Sequence, residues 1–264
     1  MTTKGMPSYR NPPVSEVVIG LYFEPIKEFL VPHIGLFWDR IRSEFPTCEH
    51  QIPLAFGTEP RWVDSATGLP LPRVWFEGKE KTFVVQLQGD CFFVNWRKTS
   101  DDQRYPRFPL IIETYERYFG IFVEFLRANG LPEPKPLNCE LTYVNFVRQG
   151  EGWSSASDIS TMFKDFSWTQ GKRFLPSPKA ISWSSQFQLP SNSGLLTAKL
   201  SQVTRISDAS LALRLEMVAR GIGESKSLSD LRSWYDLAHE WIVEGFSDLT
   251  NSDAQKTLWE REDV

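Results

Sequence analysis

Apolar and polar positions alternate first from Val14 to Phe23, VSEVVIGLYF. Val17, Ile19, Leu21 and Phe23 share one face and Glu16, Val18, Gly20 and Tyr22 the other, which is the two-residue period of a strand. Gly20, without a side chain, predicts a close neighbour on its face. The preceding Asn11-Pro12-Pro13 forces an extended entry. Pro32 then opens a helix in which Ile34, Phe37, Trp38, Ile41 and Phe45 recur at helical spacing, and Pro46 ends it. The next thirty residues, with Pro53, Pro60, Pro70 and Pro72, predict loop with one short strand at most. A three-strand meander follows. RVWFEG from Arg73 opens it, and Phe83 to Gln88, the turn dipeptide Gly89-Asp90 and Cys91 to Trp96 complete it as a hairpin. Phe108 to Arg127 is helical, with Leu110, Ile111, Tyr115, Tyr118, Phe119, Phe122, Phe125 and Leu126 covering much of its circumference before Asn129-Gly130 caps it.

The same order then recurs. Asn138 to Val147 reads as a strand and Ser157 to Phe166 as a short helix capped by Ser157. Ala180 to Leu189, Leu195 to Ile206 and Leu211 to Gly221 read as strands. A long terminal helix, capped by Ser227 or Ser229, buries Leu228, Leu231, Trp234, Tyr235, Ala238, Trp241, Ile242 and Phe246. The pattern predicts an α+β fold of two similar halves, each strand, helix, three strands and long helix, with antiparallel sheets side by side and helices on one face. The halves span 9–133 and 134–250 of one continuous body, and the tail 251–264 is expected to be loosely attached apart from Trp259. The arrangement resembles the saddle of TATA-binding-protein-like and helix-grip folds.

Composition narrows the function classes. Of the 264 residues, 41% are hydrophobic and 14% aromatic, enough for a substantial core. The net charge of −4, from 29 Lys+Arg against 33 Asp+Glu, argues against a surface that tracks polyanions throughout, so any nucleic-acid contact must rest on a local patch. Cys48, Cys91 and Cys139, without a CxxC pair, suit reduced thiols. No apolar run approaches the roughly 20 residues of a membrane span and no signal core opens the chain, so a soluble cytoplasmic protein without a membrane partner is expected.

The candidate chemistry gathers where strands carry polar groups at places that aliphatics would fill. Asn95 and Arg97 share a strand face with Phe93, and Tyr105 and Arg107 follow beyond a polar loop. Glu140, Tyr143 and Asn145 lie on the first strand of the second half, with Tyr143 and Asn145 on one face and Glu140 on the other. A catalytic reading pairs Glu140 with Arg97 or Arg107, a carboxylate held by a guanidinium as in a hydrolase site. A structural reading has Glu140 and Glu16 anchoring arginines or backbone amides. His33, His50 and His239 lack the companion ligands of a zinc site, Cys91 and Cys139 sit among apolar neighbours, and there is no P-loop, GxGxxG or GxSxG. No metal or cofactor is expected. Arg73, Lys79, Lys81, Lys98 and Arg104, interleaved with Trp75 and Trp96, form the basic aromatic patch that nucleic-acid binding would use.

Four segments resemble a sporadically distributed family of uncharacterised bacterial proteins: YRNPPVSEVV (Tyr9 to Val18), VQLQGDCFFVNWRK with YPRF (Val85 to Lys98, Tyr105 to Phe108), CELTYVN (Cys139 to Asn145) and LAHEWIVEGFSDLT (Leu237 to Thr250). The resemblance implies a cytosolic protein of the scattered kind found among mobile-element or defence genes. The reading that follows is a non-enzymatic protein-binding or regulatory module that meets another protein or itself. A nucleic-acid-binding protein is the alternative, and a hydrolase with a carboxylate-arginine site is a further one. The binding candidates are Asn95, Arg97, Tyr105, Arg107, Glu140, Tyr143 and Asn145.

Overall fold

A computed structural model describes residues 5–54, 71–166, 168, 172, 174–205 and 209–262. Its elements, in chain order, are β1 (Ser8–Tyr9), β2 (Val14–Phe23), α1 (Val31–Ile41), β3 (Thr47–Gln51), β4 (Arg73–Glu77), β5 (Phe83–Gln88), β6 (Cys91–Arg97), α2 (Phe108–Ala128), β7 (Pro136–Arg148), α3 (Ile159–Met162), β8 (Ser182–Gln188), β9 (Gly194–Thr204), β10 (Leu211–Gly221), α4 (Leu231–Leu249), α5 (Ser252–Thr257) and β11 (Arg261–Glu262). The fold is α+β, with a large antiparallel sheet and helices packed to one side. The chain forms two compact units. The larger takes Glu16–Leu141 and Arg220–Tyr235; the smaller takes Met1–Ser15, Thr142–Ala219 and Asp236–Val264.

In the larger unit the strands run β3-β4-β5-β6-β2. Alternation along β2 does what its sequence predicts: Val17, Ile19, Leu21 and Phe23 are fully buried. The register places Phe92 opposite Leu21 and Leu87, and Val94 opposite Ile19 and Val85, so one face of the sheet is continuously apolar. Helices α1 and α2 cover that face. Phe37 of α1 stands 5.5 Å from Phe122 of α2, and Phe122 stacks on Phe92 of β6 at 5.3 Å. Each such ring removed from water contributes about 1.5–3 kcal/mol. All the apolar positions expected to pack in α2 are buried except Leu110, which is exposed, while Ile112 takes a core place instead. Gly130, at φ +68°, supplies the left-handed turn after α2.

The single short strand allowed between Phe45 and Arg73 is β3, paired antiparallel with β4. Pro60 and Pro70 of that stretch lie outside the described residues.

In the smaller unit the order is β7-β10-β9-β8. Leu196, Ala198 and Leu200 of β9 and Leu213, Leu215 and Met217 of β10 are buried. Helix α4 lies close over them: a Cβ added at Gly245 would meet Met217 Cε at 3.1 Å and Leu196 Cδ2 at 3.4 Å. Of the stripe expected in the last helix, Trp241 is only partly buried, and Leu228 sits in a 3-10 turn before α4, with Ser227 as its N-cap. The short helix expected from Ser157 to Phe166 is instead a 3-10 turn over Ala156–Asp158 running into α3. Its cap is Ser155, because Asp158 accepts from the backbone N–H groups of Ser154 and Ser155 and fixes the chain there.

The segment 251–262, expected to be loosely attached apart from Trp259, is folded. Asn251 Oδ1 accepts from Asp253 N at 3.0 Å to start α5, and buried Gln255 donates to the carbonyls of Ser247 and Thr250 at 2.7 and 3.0 Å. Strand β11 pairs with β1, Tyr9 opposite Arg261, and Trp259 packs on Phe246 at 5.0 Å. The sequence hid this because a six-residue polar helix carries its weight through hydrogen bonds rather than an apolar stripe.

Candidate functional site

The face of the larger unit's sheet opposite α1 and α2 is built from the other half of each strand's alternation: Arg73, Trp75 and Glu77 of β4, Gln86 and Gln88 of β5, Phe93, Asn95 and Arg97 of β6, and Glu16 and Tyr22 of β2. The register Trp75↔Gln86 and Val84↔Asn95, Val18↔Asn95 sets these polar side chains in a row across four strands. Gln86 Oε1 accepts from Arg73 Nη1 at 2.9 Å and from Trp75 Nε1 at 2.8 Å. Gln86 Nε2 donates to Asn95 Oδ1 at 2.6 Å, and Asn95 Nδ2 donates to Glu16 Oε1 at 2.7 Å. Gln86 and Asn95 are buried, so these bonds replace water that neither amide can reach. Gln88, also buried, pairs with the backbone of Leu54 through both ends of its amide, at 2.9 and 3.0 Å.

Trp75 is partly buried under two cations, with the guanidinium carbons of Arg73 and Arg97 5.5 and 5.6 Å from its ring. Arg97 Nη2 bonds Glu77 Oε2 at 2.8 Å, and its buried Nε has no hydrogen-bond partner. Burial lowers the pKa of Arg73 from its ordinary value. Beside the row, Tyr22, Cys91 and Phe93 form a small apolar cluster with Val18 and Leu54. Burial, and then the charge of Asp90, hold the Cys91 thiol well above its ordinary pKa, which disfavours the nucleophilic thiolate.

Asn95 and Arg97 thus meet on one surface, as the strand pattern predicts. Tyr105 and Arg107 go elsewhere: Tyr105 packs edge-on against buried Trp96 at 5.6 Å, and Arg107, at φ +75°, occupies the position before α2 with its guanidinium 6.0 Å from the Tyr105 ring. The pairing of Glu140 with Arg97 or Arg107 is overturned. Glu140, almost fully buried, accepts from Arg220 Nε at 2.7 Å and from the Tyr22 hydroxyl at 3.5 Å, while Arg97 is taken by Glu77. The reason is register: Glu77 of β4 and Arg97 of β6 stand on the same face on either side of β5, and their side chains meet across Val84. The alternative, that Glu140 anchors an arginine, is what is found, although Arg220 comes from the end of β10, 80 residues away.

Tyr143 and Asn145 lie in the smaller unit. The Tyr143 hydroxyl meets His239 Nδ1 at 3.0 Å, and Asn145 Nδ2 donates to the Leu215 carbonyl at 3.3 Å. Burial lowers the His239 pKa to about 4, against the weaker opposing pull of Asp236, so its ring is neutral at pH 7. Among the alternative cations, Arg73 is committed to Gln86 and to the Ile52 carbonyl, and Lys81 stands 4.0 Å from Glu77. Lys79, Lys98 and Arg104 are exposed. Among the described residues no three His, Cys, Asp or Glu side chains stand together as metal ligands, and no helix is long and apolar enough to cross a membrane.

A second surface lies at the end of the smaller unit's strand order. Strand β8, SWSSQFQ, pairs antiparallel with β9 and has no strand beyond it among the described residues. It carries no charge, no proline and no glycine, and is exposed or half-exposed throughout. Phe187 is 39% exposed. On the side of α4, Phe187 and Leu196 line a cleft of about 330 Å³ with Trp241, rimmed by Glu240, Glu244 and Asp248. These carboxylates repeat every four residues on one side of α4, a spacing at which like charges repel. The polarity of β8 is visible in the sequence, but its position at an edge depends on strand order, which is not. Gln86 and Gln88 alternate with apolar residues along β5, whereas Arg220 has no local signal in the sequence.

No family model matches the chain, and no curated protein sequence does. Among solved structures, one match is DynU16 from the dynemicin biosynthetic locus, with 11% identity, 92% of this chain and 98% of that chain covered, and a TM-score of 0.26. At that score the likeness carries no argument about fold or activity.

Proposed function

We propose that this protein is a non-enzymatic protein-binding module whose interface is the β8 edge. The observation that carries this reading is an uncharged, proline-free seven-residue strand with no described neighbour on its outer side. Outer strands present a row of N–H and C=O groups that template another chain, and they are ordinarily blunted by lysine, proline or a bulge. Side chains of β8 offer none of these. The polar face of the larger unit supports the same reading from the other direction. Glu16, Gln86, Asn95, Glu77 and Glu140 are engaged with one another or with arginines, an arrangement that holds strands together rather than one that awaits a substrate. A bait carrying Ser184→Lys and Gln186→Lys, set beside wild type in extracts of the native host, tests the reading. A protein retained by wild type and lost by a bait that melts at the same temperature supports it; identical retention by both counts against it.

Nucleic-acid binding is the second reading, favoured by Trp75 with its two overlying guanidiniums and by exposed Lys98 and Arg104 in the segment that follows β6. It requires affinity for single strands or duplex that falls by more than about tenfold between low and moderate salt, since each neutralised phosphate releases counterions. Charge reversal at Lys98 and Arg104 should abolish that affinity.

A further inference from the structure

We infer that the strand which β8 receives is β8 of a second copy, paired antiparallel about a two-fold axis through Ser185. The inference rests on the protein-binding reading above and names its partner. A two-fold axis at Ser185 sets Trp183 opposite Phe187 of the second copy, Ser184 opposite Gln186, and Ser182 opposite Gln188, with each pair occurring twice. Every one of these pairs is chemically compatible: aromatic faces aromatic, hydroxyl faces amide, and no charge meets a charge. The faces agree as well. Trp183 and Phe187 pair across β9 with buried Leu200 and Leu196, so both aromatics stand on the side of α4. There the Trp183 of the second copy would extend over Phe187 toward the cleft walled by Leu196 and Trp241, covering apolar surface that a lone copy leaves in water. Ser182, Ser184, Gln186 and Gln188 occupy the opposite side and are exposed, so the polar pairs stay wet. Alternation thus gives β8 one apolar and one polar strip, and the two-fold operation maps each strip onto itself.

A shift of the register by one residue would pair Trp183 with Gln186 or Gln188 and lose the match, so the axis position is testable. Two double variants suffice: Ser184→Glu with Gln186→Glu, and Ser184→Lys with Gln186→Lys. Positions 184 and 186 face each other across the axis and point away from α4, so each double sets like charges opposite one another while leaving the buried face of the unit untouched. Sedimentation equilibrium of the full chain over a range of concentrations is expected to give a wild-type dimer. Each double should dissociate at least tenfold more readily, and an equimolar mixture of the two should recover the wild-type association as a mixed dimer. Circular dichroism of all three proteins verifies the fold. A wild type that sediments as a monomer at every concentration overturns the inference, as do doubles that remain dimeric or a mixture that does not associate. If the wild type is monomeric while the lysine double still loses a host protein in the capture experiment, the second copy is overturned and the protein-binding reading survives. If the lysine double loses nothing there, that reading fails as well.

Discussion

The ring of Phe93 lies across the backbone of Gly20, its partner on the neighbouring strand: a Cβ placed at Gly20 would stand 1.8 Å from Phe93 Cδ1 and 2.0 Å from Cε1. The contact fills the space that the missing side chain leaves on the polar face of β2, and it holds Phe93 edge-on to Tyr22 at 5.1 Å.

Gly20→Ala should therefore destabilise the larger unit by about 1–3 kcal/mol or more, the usual cost of forcing a group into a filled core. Phe93→Leu in the same chain should return part of that loss, because a smaller side chain vacates the space. Urea denaturation of the two singles and the double measures it; equal stability of Gly20→Ala and wild type would contradict the contact.

Gln86→Leu and Asn95→Leu each strand a buried polar partner and should cost about 1–3 kcal/mol apiece. The double variant removes both orphaned amides from each other's reach and should lose less than the two singles added together. A double-mutant cycle with chemical denaturation reads the coupling, expected at about 0.5–3 kcal/mol.

His239 gives the smaller unit a pH dependence of defined sign. Its folded pKa, about 4, lies below the ordinary 6.5, so between these values the unfolded chain binds a proton that the folded chain does not. Its contribution is fully present above pH 6.5 and is lost as the pH falls toward 4, up to about 3 kcal/mol in all. His239→Gln should flatten that part of the stability profile measured by thermal melts from pH 4 to pH 7.

Trp259→Ala should destabilise the smaller unit by about 3–5 kcal/mol, as expected for a buried tryptophan that supports Phe246. A chain ending at Thr250 should melt at lower temperature still, since it also loses Gln255 and the β1–β11 pair. Unchanged melting of either variant would mean that this segment adds nothing.

Periodicity carried the elements and their faces. The two-residue period of β2 names the four buried residues of its helix-covered face, and the helical period of α2 names nearly all of its core contacts. Local pattern also located Asn95 and Arg97 as polar groups on a strand face. It could not reach what depends on pairing between distant segments. The partner of Glu140 is Arg220, and strand order alone makes β8 an edge. Glu77 carries no such signal, because a glutamate at a strand end reads as a solvated rim until strand pairing sets it beside Arg97.

In the row that crosses the larger unit's sheet, every hydrogen bond points the same way, from the guanidinium of Arg73 through two amides to the carboxylate of Glu16. The amide dipoles are therefore aligned head to tail between a cation and an anion on different strands that do not touch. Reversing both end charges would favour rotating both amides by half a turn, but the Trp75 indole forbids it, because its N–H can only donate and would then face the Gln86 amide hydrogens. The polarity of the row is thus written by an uncharged ring, and the two charges have had to conform to it.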